Sequence, residues 1–186
     1  YSTVAQVGYL VLLLPLLSTA GGEAAWSGGI VLAVAHGLAK AAMFLAAGAL
    51  AIAYGGDRID GLPGALSRMP LAVATIGVAG VSLAGLPPAL GFVGKWQLLQ
   101  GALAADAWWW VAVLLVGGLL TFAYTGRMIA AMFNVPGEDP PPPRTTPGRA
   151  LSIVPFALAA ASLVLGLFPA PLADLLAGTL TGGGGS

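Results

Sequence analysis

The stretch SLAGLPPALGFVGKW, residues 82–96, decides how the rest of the chain is read. It sits inside an apolar region running from Met69 to about Ala105. That region is long for one membrane crossing, which takes about 20 apolar residues for a ~30 Å hydrocarbon core. Proline removes a backbone donor and clashes with the preceding turn, so Gly85-Leu86-Pro87-Pro88 interrupts a helix here. The region is therefore either two short spans or one broken span. Short cytoplasmic loops collect Lys and Arg, and this arbitrates. Two spans would put Arg58 and Arg68 on one side, with Arg127, Arg144 and Arg149 on the other. One interrupted span puts all five arginines on the same, cytoplasmic side, and that is the reading adopted.

Outward from the break, a first span runs from Tyr1 to about Ala20 and closes at Gly21-Gly22-Glu23. A second runs from about Gly28 to Tyr54, followed by a loop with Asp57, Arg58, Asp60 and Arg68. A further span begins at Trp108-Trp109-Trp110, which suits an aromatic belt at the outer surface, and ends near Phe133. The polar stretch NVPGEDPPPPRTTPGR, residues 134–149, includes a polyproline-like spacer and leads to a last span from about Ala150 to Phe168. The tail PAPLADLLAGTL would lie along the interface, with Glu23 and Asp106 on the outer side. The expected fold is all-α, a polytopic transmembrane helix bundle of about five spans, one of them discontinuous at Pro87-Pro88.

Composition agrees. The 186 residues are 58% hydrophobic and only 8% charged, whereas a soluble domain carries about a quarter charged residues. Seven basic residues balance seven acidic ones, and no basic run suits nucleic acid. The absence of cysteine excludes disulfides, thiolate metal sites and cysteine nucleophiles. No Ser-His-Asp set, metal-ligand cluster or phosphate loop is present, so neither cofactor nor metal is expected. The sequence opens at Tyr1 within an apolar segment lacking a charged n-region, and the expectation is a piece of a longer chain. Residues 181–186, rich in glycine, read as a flexible tail or linker.

Chemistry is confined to few side chains. His36 and Lys40 stand at i and i+4 on one face of the second span, within HGLAKAAMFLAAGAL, residues 36–50. A lysine near the bilayer centre costs roughly 2.5–3.5 kcal/mol, and such residues face a bundle interior or a wet cavity. Histidine titrates near neutrality, so the pair forms a two-station proton relay. The competing roles are a lysine tied to a carbonyl or carboxylate, and a histidine bonding between helices. Lys95 follows the break. Its competing role is snorkelling to the outer interface, but a break supplies the wet pocket that a charged amine needs. Non-helical backbone at membrane depth survives only when shielded by protein or lining water. Water or a polar side chain must therefore take up the carbonyls orphaned around Gly85, Pro87, Pro88 and Gly91. Broken helices of this kind mark ion and substrate sites in transporters. Ser82 and Thr75 carry a weak signal, because hydroxyls in apolar helices usually bond their own backbone.

Four stretches together, YSTVAQVGY, HGLAKAAMFLAAGAL, SLAGLPPALGFVGKW and LTFAYTGRMIAAMF, resemble the proton-conducting antiporter-like membrane family. That family includes the N, M and L pump subunits of respiratory complex I, their counterpart in Mrp-type sodium/proton antiporters and membrane subunits of energy-converting hydrogenases. The likeness covers most of residues 1–133, and the segment after Asn134 matches only as another apolar span. The resemblance implies two inverted five-helix repeats within a fourteen-helix core. Residues 1–133 are then the second repeat without its first helix, 134–149 a loop, and 150–180 an additional span and tail. It also implies that His36 and Lys40 lie on a central hydrophilic axis, with Lys95 as the outlet-side site. The first-repeat glutamate and lysines have no counterpart, so this stretch alone should not pump.

The expected function is that of a proton-translocating subunit of an ion-pumping complex of the NADH-quinone oxidoreductase type. Catalytic redox chemistry would belong to other subunits. The expected surroundings are the lipid bilayer of a bacterial or archaeal inner membrane and other membrane subunits, with protons, or sodium as the alternative, as cargo. Two rival readings stand: a sodium/proton antiporter without a redox step, and a non-transporting scaffold.

Overall fold

The computed structural model describes residues 2–56, 64–133, 142–170 and 172. All regular structure among them is helical. The order is α1 (Ser2–Leu13), a 3-10 turn (Leu14–Leu16), α2 (Gly22–Tyr54), α3 (Ala65–Arg68), α4 (Pro70–Ala84), α5 (Leu90–Ala104), α6 (Trp108–Phe133) and α7 (Arg149–Leu167). Among these, α2, α6 and α7 are long and apolar enough to cross a membrane. The expected loop charges Asp57, Arg58 and Asp60, residues 134–141 of the proline-rich loop, residue 171 and residues 173–186 lie outside the described residues.

Two boundaries differ from expectation, each for a local reason. The first helix stops at Leu13 rather than near Ala20, because Pro15 forces a 3-10 turn. Thr19 then bonds the Leu16 carbonyl at 2.6 Å and turns the chain. α2 begins at Gly22, earlier than expected, with Glu23 in its first turn, where an acid complements the helix dipole. Its C-terminus is closed by Gly55 at φ 74°, whose amide bonds Ala51. Of the tryptophans, Trp108 and Trp109 face outward, while Trp110 is buried and stacks on Trp109.

α2 is the mast of the molecule. Its 33 residues span about 50 Å, and its contact seam is small: Ala25, Gly28, Ala35, Ala39, Ala42, Ala46, Ala49 and Ala53 are all buried. Lipid offers apolar side chains no reason to cluster, so membrane helices associate through close packing at such seams. α5 lies along the first half of α2 in reverse order. A methyl group at Gly101 would sit 2.9 Å from the Gly21 oxygen, one at Gly28 2.8 Å from the Leu98 nitrogen, and one at Gly94 2.7 Å from the Leu32 nitrogen. Leu90 packs with Val31 and Ala35. α4 shares a core with the second half of α2, from Ala39 to Leu50. The two 15-residue half-helices thus lie end to end along one long helix.

Charge is segregated along this mast. Arg144 donates its amide to the Ala53 carbonyl at 2.7 Å. Arg68 ends the short helix whose Ala65 packs into the core beside Tyr54, and Arg127 adjoins Met128 of the same core. Arg149 opens α7. Glu23 begins α2, and Asp106 follows α5 at the end where Gly101 meets Gly21.

Candidate functional site at the helix break

The break spans residues 85–89, starting at the glycine rather than at the prolines. Gly85 takes φ 78°, and its amide bonds the Ser82 and Val81 carbonyls at 3.1 Å each, while Leu86 also bonds Val81. This left-handed closure is cheap only for glycine. The Pro87–Pro88 peptide is cis, and Ala89 is extended, with φ −73° and ψ 155°, so that α5 restarts at Leu90. Gly91 lies in the first turn of α5, where an added methyl would overlap the Ser82 carbonyl.

A helix end leaves its last carbonyls unpaired. Lys95, one turn into α5, reaches back and supplies the partner. Its ammonium donates to Ala84 O at 2.7 Å and to Leu83 O at 3.4 Å, and its stem crosses the bare face of Gly85. The amine thus turns toward the break instead of snorkelling outward. A hydrogen bond to a charged group contributes about 1.5–3 kcal/mol, comparable to the cost of a lysine at membrane depth. The ring of Tyr9 lies 5.9 Å from the same amine. Gly117 and Gly118 leave room on α6: a methyl at Gly117 would overlap the Tyr9 hydroxyl, and one at Gly118 would be 3.6 Å from the ammonium. A cavity of about 460 Å³ opens beside the amine, walled by Leu86, Phe92, Trp96, Leu115, Leu119 and Phe122. Its walls are apolar, so the carbonyls of the break supply the polar surroundings of Lys95.

Gly85→Ala is expected to destabilise the protein by about 1–2 kcal/mol through the left-handed conformation alone. The added methyl would also press on the Lys95 stem. Thermal unfolding of the detergent-solubilised full-length protein checks this, and an unchanged midpoint would contradict it.

His36 and Lys40 lie on α2. Lys40 sits 5.0 Å from the Phe44 ring centroid. His36 Nε2 is buried without a hydrogen-bond partner among the described residues. The stripe carrying Lys40 is uncovered among the described residues: Phe44 is 67% exposed, and a methyl at Gly37 or Gly48 would meet nothing within 4 Å. Thr75 bonds its own backbone at Leu71, as expected of a hydroxyl in an apolar helix. Ser82 does not. It pairs with Ser162 of α7 at 2.7 Å, fully within the protein. Neither Ser162 nor Tyr9 stands out in the sequence, because each acquires its place only through packing between distant helices.

Comparison with known proteins gives this arrangement its relatives. The family described as NADH:quinone oxidoreductase/Mrp antiporter, TM, matches residues 1–121. NADH-quinone oxidoreductase subunit N of Desulforudis audaxviator is 39% identical over 180 residues, covering 90% of this chain and 35% of that protein. The chain thus spans about a third of that relative's length. A solved Mrp complex from a Dietzia species matches at 27% identity with a TM-score of 0.81, covering 92% of this chain and 39% of its counterpart. Respiratory complex I from Thermus thermophilus matches at 28% identity with a TM-score of 0.52, covering 91% of this chain and 43% of its counterpart. With its apolar helices, its helix break and a match over most of its length, this integral membrane chain belongs to the NADH:quinone oxidoreductase/Mrp antiporter transmembrane family.

Proposed function

We propose that the chain is part of a proton-translocating subunit of a multisubunit ion-pumping membrane complex. Protons pass along a hydrated axis through His36 and Lys40 and leave past Lys95. The observation that carries this reading is the Lys95 ammonium seated on the orphaned Ala84 carbonyl of a broken membrane helix. Residues 1–133 then form the second of two inverted repeats in a fourteen-helix fold, with 150–180 an added span. The uncovered stripe bearing Lys40 is where the remainder of the full-length protein would close the axis.

The energetics are adequate. Moving one charge across 100 mV takes about 2.3 kcal/mol. Two like charges about 4 Å apart repel by about 4 kcal/mol at an effective dielectric of about 20. Repulsion between neighbouring stations can therefore drive a transfer.

A second reading has its own support: a sodium/proton antiporter subunit without redox chemistry, favoured by the higher TM-score of the Mrp complex. Sodium-dependent proton exchange in the absence of an electron donor would select it.

The test of the main reading is Lys40→Ala and His36→Ala in the intact complex. Lys40→Ala is expected to lower translocation about tenfold or more, since each ~1.4 kcal/mol added to a barrier costs a factor of ten. His36→Ala should have a smaller effect in the same direction. Unchanged translocation for both, with normal assembly on native gels, would leave only the scaffold.

A further inference from the structure

α7 lies beyond the residues matched to the family, yet it touches both stumps of the broken span. Ser162 and Gly166 are four residues apart and share a helix face. Ser162 is fully buried and bonds Ser82 in the last turn of α4 at 2.7 Å. One turn further on, Gly166 lies flat against the start of α5. A methyl group there would overlap Pro88 O and sit 2.5 Å from the Leu90 nitrogen. Between them, Leu165 packs on the cluster containing Leu90. The stumps press on each other at Gly91 and Ser82. Nothing within the break itself forms a helix that would set their spacing.

We propose that α7 is a splint across the break, in which Ser162 and Gly166 act as positioning residues that fix the first turn of α5 against the last turn of α4 and so hold the Lys95 amine on the Ala84 carbonyl. The hydrogen bond at stake is 2.7 Å long, and such bonds fail beyond about 3.5 Å. A displacement of about 1 Å, roughly what a methyl wedged at residue 166 demands, therefore breaks the contact. Misplacements of that size can cost about 100-fold in a positioned reaction. The inference rests on the proposed role of Lys95 in transport.

The experiment uses the full-length protein with its partner subunits in membrane vesicles, reading proton translocation at matched assembly. Gly166→Ala is expected to lower the rate about tenfold or more, and Ser162→Ala, which removes one oxygen, by a few-fold. Each is repeated in a Lys95→Arg background. If α7 acts through residue 95, the second substitution adds little there. Equal fold-losses in both backgrounds would make α7 a general structural element and overturn the splint, as would a wild-type rate in Gly166→Ala. Should Gly166→Ala fail to assemble, Ser162→Ala carries the same comparison. Lys95→Ala at the wild-type rate would instead refute the transport reading itself, so the two failures are distinguishable.

Discussion

Lys95→Ala in the full-length protein is expected to cut proton translocation by about 100-fold or more. Without the amine, a proton crossing the break must travel on water between apolar walls. The effective penalty for an ion in such surroundings is several kcal/mol, and each ~1.4 kcal/mol is tenfold in rate. Lys95→Arg separates two roles that alanine removes together. Arginine keeps a cationic donor for the Ala84 and Leu83 carbonyls, but it holds its proton at every accessible pH. The arginine variant should therefore assemble and unfold like the wild type and yet translocate poorly. Proton uptake into energised vesicles, normalised to assembled complex, decides between them. Wild-type translocation by the arginine variant would reduce Lys95 to a helix cap.

The second large effect concerns stability. Gly94→Val is expected to cost more than about 3 kcal/mol, because overpacking penalties of roughly 1–3 kcal/mol arise where side chains can still shift. Here the obstacle is the backbone of α2: even a methyl group would lie 2.7 Å from the Leu32 nitrogen and 2.9 Å from its Cα. Neither helix can yield, since Gly28 and Gly101 hold the same seam toward its Gly21 end and Leu90 packs on Val31 and Ala35 at the other. With native stabilities of about 5–15 kcal/mol, that loss should appear as a large fall in folded protein. Gly126→Ala is the matched control. Residue 126 is also helical but faces open space, so alanine should be neutral or stabilise by up to about 1 kcal/mol. Thermal unfolding of both variants in detergent gives the comparison, and equal midpoints would refute the seam.

Much of this was legible from the residues alone. Gly85 and the two prolines announce a break through local backbone chemistry. Trp108 to Phe133 and Arg149 to Leu167 are apolar enough to be bounded within a residue or two. Even the need for a partner to the carbonyls at the break follows from helix geometry. The identity of that partner does not, because a lysine one turn into the next helix can point either way. The splint is equally silent: Ser162 is one serine in an apolar helix until α7 docks on α4. Pro15 ended α1 early because one proline outweighed a long apolar run.

The way Lys95 is held has a consequence for what it can do. At the break, the negative pole of α4 and the positive pole of α5 face one another. The ammonium rests on the first of these, on main-chain dipoles rather than on a carboxylate. A counter-ion would be stranded in low dielectric each time the amine gave up its proton, which would lock the pair. Fractional charges strand nothing, so under the proposed function the nitrogen would be emptied and refilled while its cradle stays in place. In the proposed conduction role, a broken helix would thus be a means of holding a cation with no counter-ion to be left behind when its proton departs.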